Sequence, residues 1–322
     1  MTEQTVLQTN ASTEVASATS VERSLYSTVL TFCAGLFTLI ALLFVGNLVW
    51  RAWPILSRQP LTLLTGTSWG GTIGSYGAWP QIFGTLQTSV GAVIIAVIAG
   101  LGTSISIVYL IPQRVKLITI TLVELLAAVP SIVYGCWGFL ILGPYMTKYV
   151  DPALAHLPFA KYWLGNPNLY TTQSVLLGIF VLAVMVLPTF VAISREVIAS
   201  VPNDLIEASY SLGGSWWQTM SKVVLPASKI GIFGAASLAL ARAAGETVAI
   251  LFIIGGFGGV QTHLLYPGST LAAWIASQFG EATTSGIAAL MAMGVLLMII
   301  NFLLAIISRR MLAAQRRRMA RV

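Results

Sequence analysis

Six apolar stretches of about twenty residues recur along the chain, at roughly 28–50, 88–110, 117–143, 173–194, 231–255 and 284–308. Glycine, proline and charge concentrate between them. A helix needs about 20 apolar residues to cross a hydrocarbon core of ~30 Å. In lipid, backbone polar groups must bond within their own segment. The pattern therefore predicts an all-α polytopic membrane protein with six transmembrane helices, and the two-residue alternation of a membrane barrel is absent.

Shorter periodicities fill two of the connections. Between the fourth and fifth spans, Leu205, Ala208/Ser209 and Leu212 make a narrow apolar stripe, opening near Pro202 and closing at Gly213-Gly214. A second short helix is expected from Ser215, with Gln218 three residues on in a capping-box pattern, stopping before Pro226. Trp216, Trp217 and Met220 give it an apolar surface. Before the last span, Leu271, Trp274, Ile275, Gln278 and Phe279 recur at helical spacing behind Ser269 and Thr270. They predict a short amphipathic helix at the outer membrane surface.

Composition agrees with the pattern. The 322 residues are 57% hydrophobic and 8% charged, with mean hydropathy +0.86, where soluble domains carry about 25% charge. With the N-terminus in the cytoplasm, the inner segments hold Arg23, Arg114, Lys116, Arg195, Lys222, Lys229 and the tail arginines 309, 310, 316, 317, 318 and 321. The outer loops hold Arg51, Arg58, Lys148 and Lys161. Basic residues favour the cytoplasmic side, so both termini and the 195–229 loop are expected there. The net charge of +7 is thus a matter of topology and anionic lipid contact, not of nucleic-acid binding. Residues 1–24, rich in Ser, Thr, Ala and Gln, are expected to be a disordered tail. Residues 25–310 form the membrane domain with its 195–229 loop, and 311–322 a basic tail.

Three ionisable residues fall inside spans: Glu124, Arg242 and Glu246. Insertion scales put such charges at ~2.5–3.5 kcal/mol at a helix centre, so they should face a cavity or one another. Arg242 and Glu246 are four apart and would share one helix face. Counted from Gly231 at ~1.5 Å per residue, Arg242 lies about 16 Å into the span. A planar guanidinium suits phosphate, with Glu246 orienting it and Glu124 either a further partner or a carboxyl kept protonated by the apolar interior. A salt bridge joining two helices explains the same residues. The sequence holds no G-x-x-x-x-G-K-[ST] phosphate loop, no Ser/His/Asp grouping and no zinc-ligand cluster, so neither catalysis nor a cofactor is expected.

The 195–229 loop carries a spaced signature: Glu207-Ala208-Ser209, three residues, Gly213, nine residues, then Val223-Val224-Leu225-Pro226. It resembles the motif by which membrane subunits of ATP-binding-cassette (ABC) importers dock on their ATPases, with Ser209 for alanine and Val223 for isoleucine. The segments 122–135, 241–247 (Ala-Arg-Ala-Ala-Gly-Glu-Thr), 270–273 and 279–282 extend the likeness. Over about residues 25–310 the chain resembles the permeases of bacterial phosphate ABC importers, the C-type more closely than the A-type. That resemblance implies a type I importer fold, an A-type partner permease, two ATPase subunits and an extracytoplasmic phosphate-binding protein. It implies a phosphate path at Arg242 and Glu246. It also implies coupling to the ATPase through Glu207, Ala208, Ser209, Leu212, Gly213, Val223, Leu225 and Pro226. Rival readings are a permease for sulfate or molybdate, an ion-gradient-driven transporter or channel, and a non-transporting scaffold.

Overall fold

The computed structural model describes residues 3–70, 75–156, 160–165 and 171–319. The chain divides into two compact units, residues 1–51 and 52–322. The first is helical: α1 (Glu3–Arg58) starts inside the stretch where composition predicts a disordered tail. Lengthening an existing helix gains one hydrogen bond per residue fixed, so the costly nucleation step need not be repeated.

The second unit is built on a central post, α5 (Val175–Ala199). In its most apolar window 67% of the residues are buried within the chain, against 22% for the span Trp79–Leu110 and 28% for Thr284–Ile307. The first of these flanking spans is α2 (Trp79–Ile105) extended by a π-turn. Phe190 on α5 inserts among Ala96 of α2 and Ala235, Ala239 and Ala243 of α8 (Leu225–Ala244). Gly100 allows that insertion, because a Cβ there would collide with the Phe190 ring. Small residues at such crossings let helix backbones approach closely in lipid. A second core joins Leu177, Val181, Leu182 and Met185 of α5 to Ala249, Ile250 and Ile253 of α9 (Val248–Ile253).

Five helices are long and apolar enough to cross a membrane among the described residues, or six if one bent pair counts as a span. That pair is the expected 117–143 span. It breaks by 90° between α3 (Gln113–Ala128) and the helix that begins with α4 (Ser131–Trp137). The cause is Pro130, which pushes its predecessor out of the helical region; Val129 is extended at ψ 128. The Tyr134 hydroxyl donates to the Leu126 carbonyl at 2.7 Å, reinforcing an acceptor at the α3 terminus that otherwise receives only the Val129 N–H at 3.4 Å.

Two other expectations change. The expected span 231–255 is not continuous: α8 ends at Gly245 and α9 starts after Thr247. At its other end the helix does not stop before Pro226. A π-turn over Met220–Val224 joins α7 (Trp216–Thr219) to α8, and Pro226 sits in the first turn of α8. Proline has no N–H to give the helix ladder, and the π-turn directly before it is where that ladder is already irregular. Trp216 to Ala244 thus form one 29-residue rod. The surface helix expected at 271–279 exists as α10 (Leu271–Gln278), with Leu271, Ala272, Ala273 and Trp274 buried against the protein. The last helix, α11, runs Thr284–Met319. Arg321 lies outside the described residues.

Candidate functional site

Two places combine the expected residues, one in the loop after α5 and one at the far end of α8. The loop contains α6 (Asn203–Ser211), which has no buried residue. Its C-terminus is closed by backbone geometry alone. Gly213 has φ +80, the left-handed region that favours glycine. Its N–H donates to the Tyr210 carbonyl at 2.9 Å, and the Gly214 N–H reaches back to the Ser209 carbonyl at 2.9 Å. That bond pair is a Schellman closure.

The capping box then starts α7: the Gln218 N–H donates to Ser215 Oγ at 3.3 Å, and the Ser215 N–H donates to Gln218 Oε1 at 2.9 Å. The two short helices are tied by Ser209 Oγ and Thr219 Oγ1, 2.9 Å apart. Ser209, where the resemblance has alanine, therefore has a structural job. Beneath, Ile198, Val201, Met220 and Val224 form a buried floor.

On top lies a cleft of about 450 Å³ lined by Leu205, Ala208, Ser209, Leu212, Gly214, Gln218, Lys222 and Val223. Leu212 is 90% exposed, and Glu207, Gly213 and Pro226 are exposed too. The structure thus gathers Ala208, Ser209, Leu212 and Val223 around one cleft. Leu225 and Pro226 instead belong to the start of α8. An open apolar cleft with a polar rim receives a partner's helix or side chains well.

At the far end of α8, every fourth residue is an alanine turned to the core: Ala235, Ala239 and Ala243. Leu238 and Arg242 fall on a different face and are exposed. The Arg242 Nη1 donates to Thr189 Oγ1 of α5 at 3.3 Å. Thr189 is fourteen residues from Val175 and ten from Ala199, so at ~1.5 Å per residue it lies about 21 and 15 Å from the ends of its helix. Arg242 is therefore held near mid-span by a second helix.

The expected Arg242–Glu246 pair is not formed. The helix ends at Gly245, which removes the shared face, and Glu246 Oε1 accepts instead from the Ala249 N–H at 3.4 Å, over the first turn of α9. Glu124 is not a partner of Arg242 either. Arg195 Nη2 donates to Glu124 Oε1 at 2.9 Å, near the loop end of α5. Arg195 is four residues from Ala199, so at ~1.5 Å per residue the pair lies about 6 Å from the loop end of α5 and not at mid-depth. Among the described residues no group of His, Cys, Asp or Glu could hold a metal ion.

Residues 92–313 match the model of the family described as "Binding-protein-dependent transport system inner membrane component". The chain belongs to this family. It is a permease, a transporter component and not itself an enzyme. It is 38% identical over 285 residues to the "Phosphate transport system permease protein PstC" of Xylella fastidiosa (strain 9a5c), covering 86% of each chain. It is 34% identical over 302 residues to the protein of the same name from Haemophilus influenzae, covering 91% of this chain and 94% of that one. Both carry the C-type name, as the resemblance implies. The fold is similar to that of a chain of the inward-facing MetNI methionine ABC transporter, with TM-score 0.53, 19% identity, and coverage of 73% and 96%.

In this permease the sequence reading missed Thr189 and the partner of Glu124. Thr189 follows Pro188 at the middle of a span, a polar group where apolar residues surround it. Arg195 was read only as a topological charge, although an arginine at a span end and a carboxylate inside another are natural partners.

Proposed function

We propose that this permease forms the membrane path of an ATP-driven inorganic phosphate importer. The observation that carries the reading is Arg242: exposed, near mid-span, off the packed alanine face and tethered to Thr189. A charge so placed is costly against lipid, ~2.5–3.5 kcal/mol on insertion scales. Its face is therefore turned to a second permease subunit across a wet path, an A-type partner by the resemblance. A dehydrated oxyanion entering that path meets a fixed, always-ionised fork of N–H donors. Glu246, over the first turn of α9, is a second charge close in sequence that tempers the attraction so that the anion leaves.

The chain passes several times through an inner membrane, and the basic-residue asymmetry supports cytoplasmic termini and a cytoplasmic α6–α7 loop. There the cleft between Leu205 and Val223 receives one of two ATPase subunits, and hydrolysis is theirs. An extracytoplasmic binding protein delivers phosphate on the other side. The PstC name of the relatives supports phosphate over sulfate or molybdate.

The test is uptake of radiolabelled phosphate by vesicles reconstituted with this permease and its co-purifying subunits. Uptake is expected to require ATP inside the vesicles and to resist a tenfold excess of sulfate or molybdate. Competition by those ions at parity would reassign the cargo, and uptake by the permease alone would reassign the energy source.

A further inference from the structure

Serine and threonine inside a helix ordinarily return the hydroxyl proton to the carbonyl four residues back. Many helical hydroxyls of this permease do so, Ser104 and Thr121 being exceptions. Thr85, Thr88, Ser194, Ser228 and Ser237 donate to Gln81, Gly84, Phe190, Val224 and Phe233 at 2.7, 2.8, 2.7, 2.7 and 2.8 Å. Thr189 is a further exception. Among the described residues its hydroxyl makes one hydrogen bond, as acceptor from Arg242 Nη1 at 3.3 Å, and none to the Met185 carbonyl.

A hydroxyl carries one donor and two lone pairs. With a lone pair turned to the guanidinium, its proton is left without an acceptor, beside the one arginine at mid-span. Pro188, immediately before it, contributes no N–H to the helix ladder. Arg242 presents its fork from α8 and Thr189 its O–H from α5, so two separate helices converge on one point.

We infer that Thr189 is a direct donor to the translocated oxyanion, completing with Arg242 a three-point seat for a tetrahedral, multiply charged anion: two parallel N–H groups from one helix and an O–H from another. This rests on the phosphate-importer reading and adds to it a substrate-binding residue. The long 3.3 Å contact is the resting arrangement, and an entering anion takes both groups into shorter, charge-assisted bonds. Because the seat spans α5 and α8, a relative shift of the two helices dismantles it and releases the anion.

Isosteric pairs separate this role from packing. Thr189→Val keeps the shape and removes the hydroxyl, whereas Thr189→Ser keeps the hydroxyl and removes the methyl. Maximum phosphate uptake is measured per mole of assembled complex in vesicles, with assembly read from co-purification of the ATPase. Thr189→Val is expected to slow uptake 10- to 100-fold, Thr189→Ala similarly, and Thr189→Ser to stay within about threefold of wild type. The reverse order, with Val near wild type and Ser impaired, overturns the inference and leaves the importer reading standing. No phosphate uptake by the wild-type complex overturns the reading and the inference together.

Discussion

The α6–α7 hairpin and the α8–α9 break are both places where a helix stops, but they stop by different means. At the hairpin, a left-handed Gly213, a Schellman closure and a reciprocal capping box satisfy the exposed backbone within a dozen residues. At the break, Gly245 has an ordinary φ of −90, and Thr247 gives α9 no side-chain cap. One carboxylate contact at 3.4 Å, from Glu246, takes that place. The first stop is self-contained and rigid, and the second is held by its neighbours. A surface that must fit a partner gains from being preformed. A seat that must form and dissolve each cycle gains from weak local closure.

Changes at either stop sharpen that contrast, beginning with the largest expected effect. Arg242→Ala removes charge-assisted donors worth ~1.5–3 kcal/mol each, so labelled phosphate uptake is expected to fall about 100-fold with normal membrane levels. Uptake within threefold of wild type would remove Arg242 from the path. Gly213→Pro cannot adopt φ +80, since proline fixes φ near −65°. The ATPase is expected to drop at least tenfold in co-purification while insertion persists, and undiminished recovery would detach the hairpin from that partner.

Ser209→Ala deletes the bridge to Thr219, a neutral bond worth ~0.5–1.5 kcal/mol. A fall of about threefold in ATPase affinity is expected by titration on detergent-solubilised complex; a rise would mean that the bridge constrains the cleft unfavourably. Glu124→Gln should matter least. Its partner is Arg195, and the carboxylate is 56% exposed, where pairs contribute ~0.2–1 kcal/mol. Uptake within about twofold is expected, and a collapse like that of Arg242→Ala would return Glu124 to the substrate path.

Legibility in the sequence divided along the same line. The hairpin was readable because its signals are neighbours: Gly213-Gly214, Ser215 with Gln218, and the Glu207-to-Pro226 spacing. The spans were readable from apolar length, apart from what proline and glycine did inside them. Pro130 breaks a span that composition makes continuous, Pro188 lies within an unbroken helix, and Pro226 follows a π-turn inside a continuous helical run. The same residue type has three outcomes because its cost depends on position in the helix and on what a π-turn absorbs. The Arg242–Glu246 pairing failed for a related reason. Spacing of four places two residues on one face only while the helix continues, and Gly245 lies between them. Thr189 was invisible because its significance is a missing bond, and a sequence does not record which hydroxyls decline their usual acceptor.

The uninterrupted run from Trp216 to Ala244 has a mechanical corollary. Its first residue lies beside the hairpin and Arg242 near its other end, 26 positions on, or ~39 Å at ~1.5 Å per residue. On the proposed function, a strut of that length would carry a tug or a twist at its base to the guanidinium by way of the π-turn at Met220–Val224. The π-turn and Pro226 just after it are where its pitch departs from the ideal, so one piece of backbone, adjustable at that point, links the hairpin to Arg242.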